Sequence, residues 1–151
     1  MGLLSTSTLN KKGFTLIEII LVMTLLVMVL GFGLITGFDS YRRDALRAER
    51  NTVISVLQKA RSQAINNVNN SKHGFYFDGT NYIVFEGTSS DSRISEKDLL
   101  IPKNSVITAT GSVEIVFDQL MGNTVQTGDF ILSDDTSSTT ISINQEGRIN
   151  W

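Results

Sequence analysis

From Ile19 to Phe38 the chain runs for twenty residues without a charge, IILVMTLLVMVLGFGLITGF. As an α-helix rising about 1.5 Å per residue, such a run covers roughly 30 Å, the depth of a bilayer's hydrocarbon core. By length it reads as a membrane-spanning helix. A secretory signal peptide has an apolar core of only about 7–15 residues and a small-residue cleavage site after it, which Asp39-Ser40-Tyr41 does not supply. Lys11 and Lys12 precede the run and favour keeping that end in the cytoplasm, with the C-terminal part exported. Arg42, Arg43, Arg47 and Arg50 follow it, partly offset by Asp39, Asp44 and Glu49. Charge counting alone therefore leaves the orientation open.

The apolar residues, 41% of the chain, crowd between Phe14 and Phe38, so the remainder is polar. A length of 151 residues leaves room for one domain and an attached segment. The formal net charge is −2, and −4 without Lys11 and Lys12. Nucleic-acid binding usually shows as a basic excess, so the balance argues against it. There is no cysteine, which excludes disulfides, thiolate metal sites and cysteine nucleophiles. An exported domain must then hold together by core packing alone.

Glu18 stands four residues into the hydrophobic stretch that begins at Phe14. A carboxylate near hydrocarbon costs a few kcal/mol unless it finds a partner, so it marks a functional site by default. The surrounding string Lys11-Lys12-Gly13-Phe14-Thr15-Leu16-Ile17-Glu18 closely resembles the prepilin peptidase recognition sequence of type IV pilins and type II secretion pseudopilins. The resemblance implies cleavage between Gly13 and Phe14, N-methylation of Phe14 as the new N-terminus, and Glu18 as the fifth residue of the mature chain. It implies prepilin peptidase, other pilin or pseudopilin subunits and the inner membrane as partners. It also implies a single-pass location with the C-terminal domain outside the cytoplasm, before incorporation into a filament. The physics of the glutamate then follows. In a staggered helical bundle, Glu18 of one subunit can pair with the Phe14 amine of a neighbour, and in low dielectric either charge left alone costs more than ordering the pair. Gly33 and Gly37 form a G-x-x-x-G pair with Gly31 just before. Small residues at this spacing permit close helix contact, and glycines equally weaken the helix by roughly 1 kcal/mol each.

Beyond Phe38, Leu46, Val53, Leu57, Ala60, Ala64 and Val68 recur on one helical face. Helix to about Val68 is expected, ended by Asn66-Asn67-Val68-Asn69-Asn70-Ser71. Short β-like runs follow. Gly74–Phe77 and Tyr82–Phe85 read as a hairpin around Asp78–Asn81, and Val106–Thr108 with Val113–Phe117 as a second pair around Thr110-Gly111-Ser112. Phe130–Leu132, Thr140–Ile143 and a final strand Arg148–Trp151 complete the set, with loops at Gly87–Lys97 and Leu120–Thr127. The expected fold class is α+β, one long helix on antiparallel sheet. The expected organisation is a leader at 1–13, a transmembrane and assembly helix at 14–38, its amphipathic half at 39–70, and a β-rich globular domain at 71–151. The phrase Val56–Ile65, the tyrosine-bearing hairpin, Ile141-Ser142-Ile143 and Gly147-Arg148-Ile149 resemble the GspH/FimT-like minor pilins and pseudopilins. That resemblance implies a β-sandwich or pair of small sheets on the helix, and a priming or tip-proximal role.

Other chemistry is thinly represented. Some minor pilins of natural transformation bind DNA through a C-terminal Gly-Arg-x-Arg phrase, and here Gly147-Arg148-Ile149-Asn150 lacks the second arginine. One arginine beside Glu146 makes a poor phosphate surface, so Arg148 as a DNA contact is the minority reading. A membrane-anchored adhesin is a further alternative. His73, the only histidine, is expected to be exposed, and no Gly-x-Ser-x-Gly elbow is present. Asp91, Asp134 and Asp135 lie in Ser/Thr-rich loops without calcium-loop spacing. No catalytic residue, metal or cofactor is expected. The terminal Trp151 is expected to cap a sheet edge or cover a small apolar patch.

Overall fold

The computed structural model describes residues 13–151, without the side chains of residues 33–41. Lys11 and Lys12 of the expected leader therefore lie outside the described residues. Chain contacts divide the molecule into Met1–Asp39 and Ser40–Trp151. One helix, α1, runs Leu16–Ile65. It starts where Thr15 supplies a cap, its Oγ1 accepting the Glu18 N–H at 3.3 Å. It ends in the asparagine-rich stretch as expected. Asn67, Asn69 and Asn70 take positive φ of 52°, 55° and 54°, a region this side chain tolerates better than most. The end comes earlier than Val68, which sits in a short 3-10 turn, Val68–Asn70. Val68 is consequently 36% exposed instead of joining the buried stripe.

In the second unit eight strands form two antiparallel sheets: β1 His73–Phe77, β2 Asn81–Glu86, β3 Leu99–Pro102, β4 Thr108–Gly111, β5 Glu114–Phe117, β6 Gly128–Ser133, β7 Ser138–Ile143 and β8 Ile149–Asn150. Sheet order is β3-β2-β1-β5 in one and β4-β6-β7-β8 in the other. The hairpin around Asp78–Asn81 is present, with Phe77 opposite Tyr82. The hairpin expected around Gly111 is not. β4 pairs with β6 and β5 with β1, so the chain changes sheets between them. Gly111, at φ +109°, makes the change possible, because an added Cβ would collide with the Asp129 carbonyl. β3 was assigned no strand from sequence. Its four residues are largely exposed and end in Pro102, which a sheet accepts only at an edge. The last strand is shorter than expected, since Arg148 and Trp151 both fall outside β8.

The α+β expectation holds, and the helix and both sheets share one core. Leu46, Val53, Leu57, Ala60 and Ala64 of α1 are buried together with Phe75, Tyr82, Phe130, Leu132 and Ile141. Alternation along β1 and β2 sends Phe75, Phe77, Tyr82 and Val84 into that core and Ile83 and Phe85 to a smaller cluster with Val116 on the opposite face. The Phe130 ring stands edge-on to Phe75 and Phe77, each centroid 5.6 Å away, a favoured aromatic geometry.

Candidate functional site

Gly13 and Phe14 lie ahead of α1 in non-helical backbone. The peptide bond between them is not tied into helical hydrogen bonding. Phe14 is 79% exposed, and a Cβ added at Gly13 would meet nothing within 4 Å. Among the described residues, nothing packed at Gly13 requires a glycine there. Glu18 occupies the first turn of α1, where a carboxylate complements the helix dipole. It shares a shallow surface groove with Phe14, Ile19, Val22 and Met23.

Every large apolar side chain described from Leu16 to Phe32 is exposed, between 49% at Leu26 and 77% at Leu16. Apolar surface this continuous marks a site for lipid or for another protein. Among the described residues no helix is long and apolar enough to cross a membrane. The end of the run Ile19–Phe38 falls within residues 33–41, whose side chains lie outside those described. Gly33 and Gly37 lie there too, whereas at Gly31 an added Cβ would meet nothing within 4 Å.

A second constellation joins the helix phrase to the C-terminal phrase. Arg61 donates from Nε to the Gly122 carbonyl at 3.2 Å and from Nη2 to the Glu146 carbonyl at 3.1 Å. Gly122 and Gly147 have φ of +68° and +69°, and a Cβ at Gly147 would collide with the Gly122 carbonyl. The Leu120 N–H donates to the Ala64 carbonyl at 2.9 Å, near the end of α1. The two separated phrases are therefore one structural joint. Arg148 is exposed beside it and borders a groove with Arg61, Ile65 and Trp151, the last 62% exposed. Trp151 thus covers little.

Glu49 was counted from sequence only as a charge. It is 6% exposed and accepts from Tyr82 Oη at 2.7 Å and from the Asn104 N–H at 3.0 Å, tying α1 to two segments of the sheet side. Its position between Leu46 and Val53 on the apolar stripe was the available signal. Burial first, then the hydrogen bond and charge of Glu49, push the Tyr82 phenol well above its ordinary range. His73, expected exposed, is 3% exposed. It falls within β1, and its Nε2 lies 3.0 Å from the Val68 carbonyl, so the histidine helps hold the turn after α1. Asp134 closes the β6–β7 turn through the Thr136 and Ser137 N–H groups, and Asp135 pairs with Arg42 at 2.7 Å. Among the described residues no group of three or more metal-ligating side chains comes together.

A capped apolar helix stretch thus precedes an α+β domain in which the same helix packs on two antiparallel sheets. Residues 49–147 match the family described as type II transport protein GspH, and residues 8–34 match the prokaryotic N-terminal methylation motif. The chain belongs to the GspH family of pilin-like and pseudopilin-like proteins. No curated protein and no solved structure matches it.

Proposed function

We propose that the chain is a minor structural subunit, priming or tip-proximal, of a type IV pilus or type II secretion pseudopilus. Prepilin peptidase cuts between Gly13 and Phe14, the Phe14 amine is methylated, and the segment 14–38 crosses the inner membrane, with the remainder outside the cytoplasm. On assembly Glu18 receives the Phe14 amine of a neighbouring subunit, which fixes the stagger between helices. No reaction and no cofactor are assigned to it. The supporting observation is the non-helical Gly13–Phe14 bond directly ahead of an apolar helix exposed on all sides. Family membership supports the assembly partners.

Intact-mass analysis of the protein from its own cell membranes tests the reading. Loss of Met1–Gly13 with one added methyl group on Phe14 is the expected result. Glu18→Leu should still be cleaved but enter filaments at least about tenfold less, as expected for an unmatched charge in low dielectric. An intact leader in the presence of active peptidase would overturn the reading, and undiminished incorporation of Glu18→Leu would remove the register role.

A further inference from the structure

A groove in the second unit, between α1 and β3, is unused by the reading above. Thr52, Ser55, Val56 and Lys59 form its helix side and Leu99 and Ile101 its strand side. β3 is the outer strand of its sheet. The Lys103 N–H donates to the Thr80 carbonyl at 2.9 Å, and the register sets Ile101 opposite Tyr82 and Leu99 opposite Val84. Antiparallel alternation then turns the inward bonds to Leu99 and Ile101, and the N–H and C=O of Leu100 outward. Pro102 adds an outward carbonyl and no donor. Leu100 is 57% exposed. Such an apolar edge with unpaired backbone groups is a template for another strand.

The helix side admits one. Thr52 and Ser55 are short, and their hydroxyls donate back to the Ala48 and Asn51 carbonyls at 3.0 and 2.8 Å, so the wall stays low beside the strand edge. Lys59 is exposed on the same wall. Among the described residues the ion pairs involve Arg42, Arg47, Lys72, Arg93 and Lys97 but not Lys59. We propose that an extended acidic segment of another pilin-type subunit adds to β3 as a further strand, its backbone bonded to Leu100 and Pro102 and a carboxylate on Lys59. The proposal rests on the assembly role above.

The test uses the full tagged chain in the cells that produce it. The probe is the co-produced subunits bearing the same leader signature, quantified in the material recovered with the tag. Leu100→Pro removes the outward donor and no bond to β2, and Lys59→Glu reverses the groove's charge. Both should lower recovery about tenfold, the scale expected when strand pairing is lost, with the melting temperature unchanged. Val125→Lys, at a site 82% exposed and outside the groove, should recover the wild-type amount. Undiminished recovery with either groove variant overturns the proposal, and should Leu100→Pro prove unstable, Lys59→Glu decides alone. Because the chain has no cysteine, Leu100→Cys carries one thiol. A disulfide-linked homodimer as its main oxidation product would overturn the proposal in favour of a second copy. Leader removal, read by mass in the same samples, separates failure here from failure of the assembly role.

Discussion

Between Leu16 and Phe32 the large apolar side chains of α1 face outward all round, at 49% exposure or more, whereas between Leu46 and Ala64 they form one stripe at 7% or less. One helix carries both patterns. The difference lies in where polar residues are allowed. The second stretch alternates its stripe with Arg47, Arg50, Lys59 and Arg61, so it solvates one side and buries the other. The first has only Glu18 and Thr24 as polar side chains, and Thr24 Oγ1 donates to the Ile20 carbonyl at 2.7 Å, which hides its polarity within the helix. Amphipathicity makes a domain of the second stretch, and uniform apolarity leaves the first an exposed apolar surface.

The sharpest way to break this comparison is to make the same truncation in each stretch. Leu57 is fully buried, so Leu57→Ala should cost about 2–5 kcal/mol by lost transfer energy and cavity formation. Leu25, 57% exposed, should tolerate alanine within about 0.5 kcal/mol. Thermal melts of the full chain in detergent, followed by near-ultraviolet circular dichroism, compare the two. Similar losses at both positions would mean that burial of the side chain does not separate the two stretches.

The buried stripe contains one carboxylate, and removing it should have the next largest effect. Glu49→Ala leaves the Tyr82 hydroxyl and the Asn104 N–H without their acceptor, which should cost about 2–3 kcal/mol in a denaturant titration. Tyr82 also supplies a pH signature. Burial and Glu49 raise its pKa above the ordinary 10.0, so its contribution is fully present below pH 10.0 and is lost as pH rises beyond it. Tyr82→Phe should flatten that alkaline loss. An unchanged alkaline limb would show that burial and Glu49 together do not raise the phenol's pKa.

A smaller effect is expected at the joint between Arg61, Gly122 and Gly147. Gly147→Ala combines φ +69° with a collision at the Gly122 carbonyl and should cost about 1–3 kcal/mol. Gly31→Ala, with nothing near the added Cβ, should leave the melting of the domain unchanged. The contrast sets a glycine required by the fold against one that the fold does not need.

What could be read from the chain alone followed the same division. The apolar run and the stripe from Leu46 to Ala64 were legible because each depends on local spacing and hydropathy. The Asp78 hairpin was legible because its turn chemistry is local too. The path around Gly111 was not. Whether β4 and β5 pair with each other or with β6 and β1 is decided by long-range partners, and both outcomes fit the same alternation. β3 escaped notice because Leu99-Leu100-Ile101-Pro102 carries a strand breaker that only an edge position excuses. His73 was misplaced because polarity argued for exposure, while the Val68 carbonyl that satisfies it is supplied by the turn after α1.

The weakest of the expected effects comes from two turns that share one design. In Asp78-Gly79-Thr80-Asn81 the Asp78 Oδ1 accepts from the Thr80 and Asn81 N–H groups at 2.7 and 2.6 Å. In Asp134-Asp135-Thr136-Ser137 the Asp134 Oδ1 accepts from the Thr136 and Ser137 N–H groups at the same two distances. At Asp78 desolvation pushes the pKa up, but the backbone bonds from Thr80 and Asn81, with their side chains, outweigh it and lower the value from 3.8 to about 2. A depressed carboxylate pKa means stability that is present above 3.8 and lost as pH falls toward 2. Asp78→Ala should therefore flatten the acid limb of a stability profile between those values. At neutral pH it should cost no more than about 1 kcal/mol, because the group is solvent-screened and its donors can turn to water. A loss as large as that of Glu49→Ala would show that the hairpin end is held by more than its own turn, and the contrast between buried and exposed carboxylates would fail.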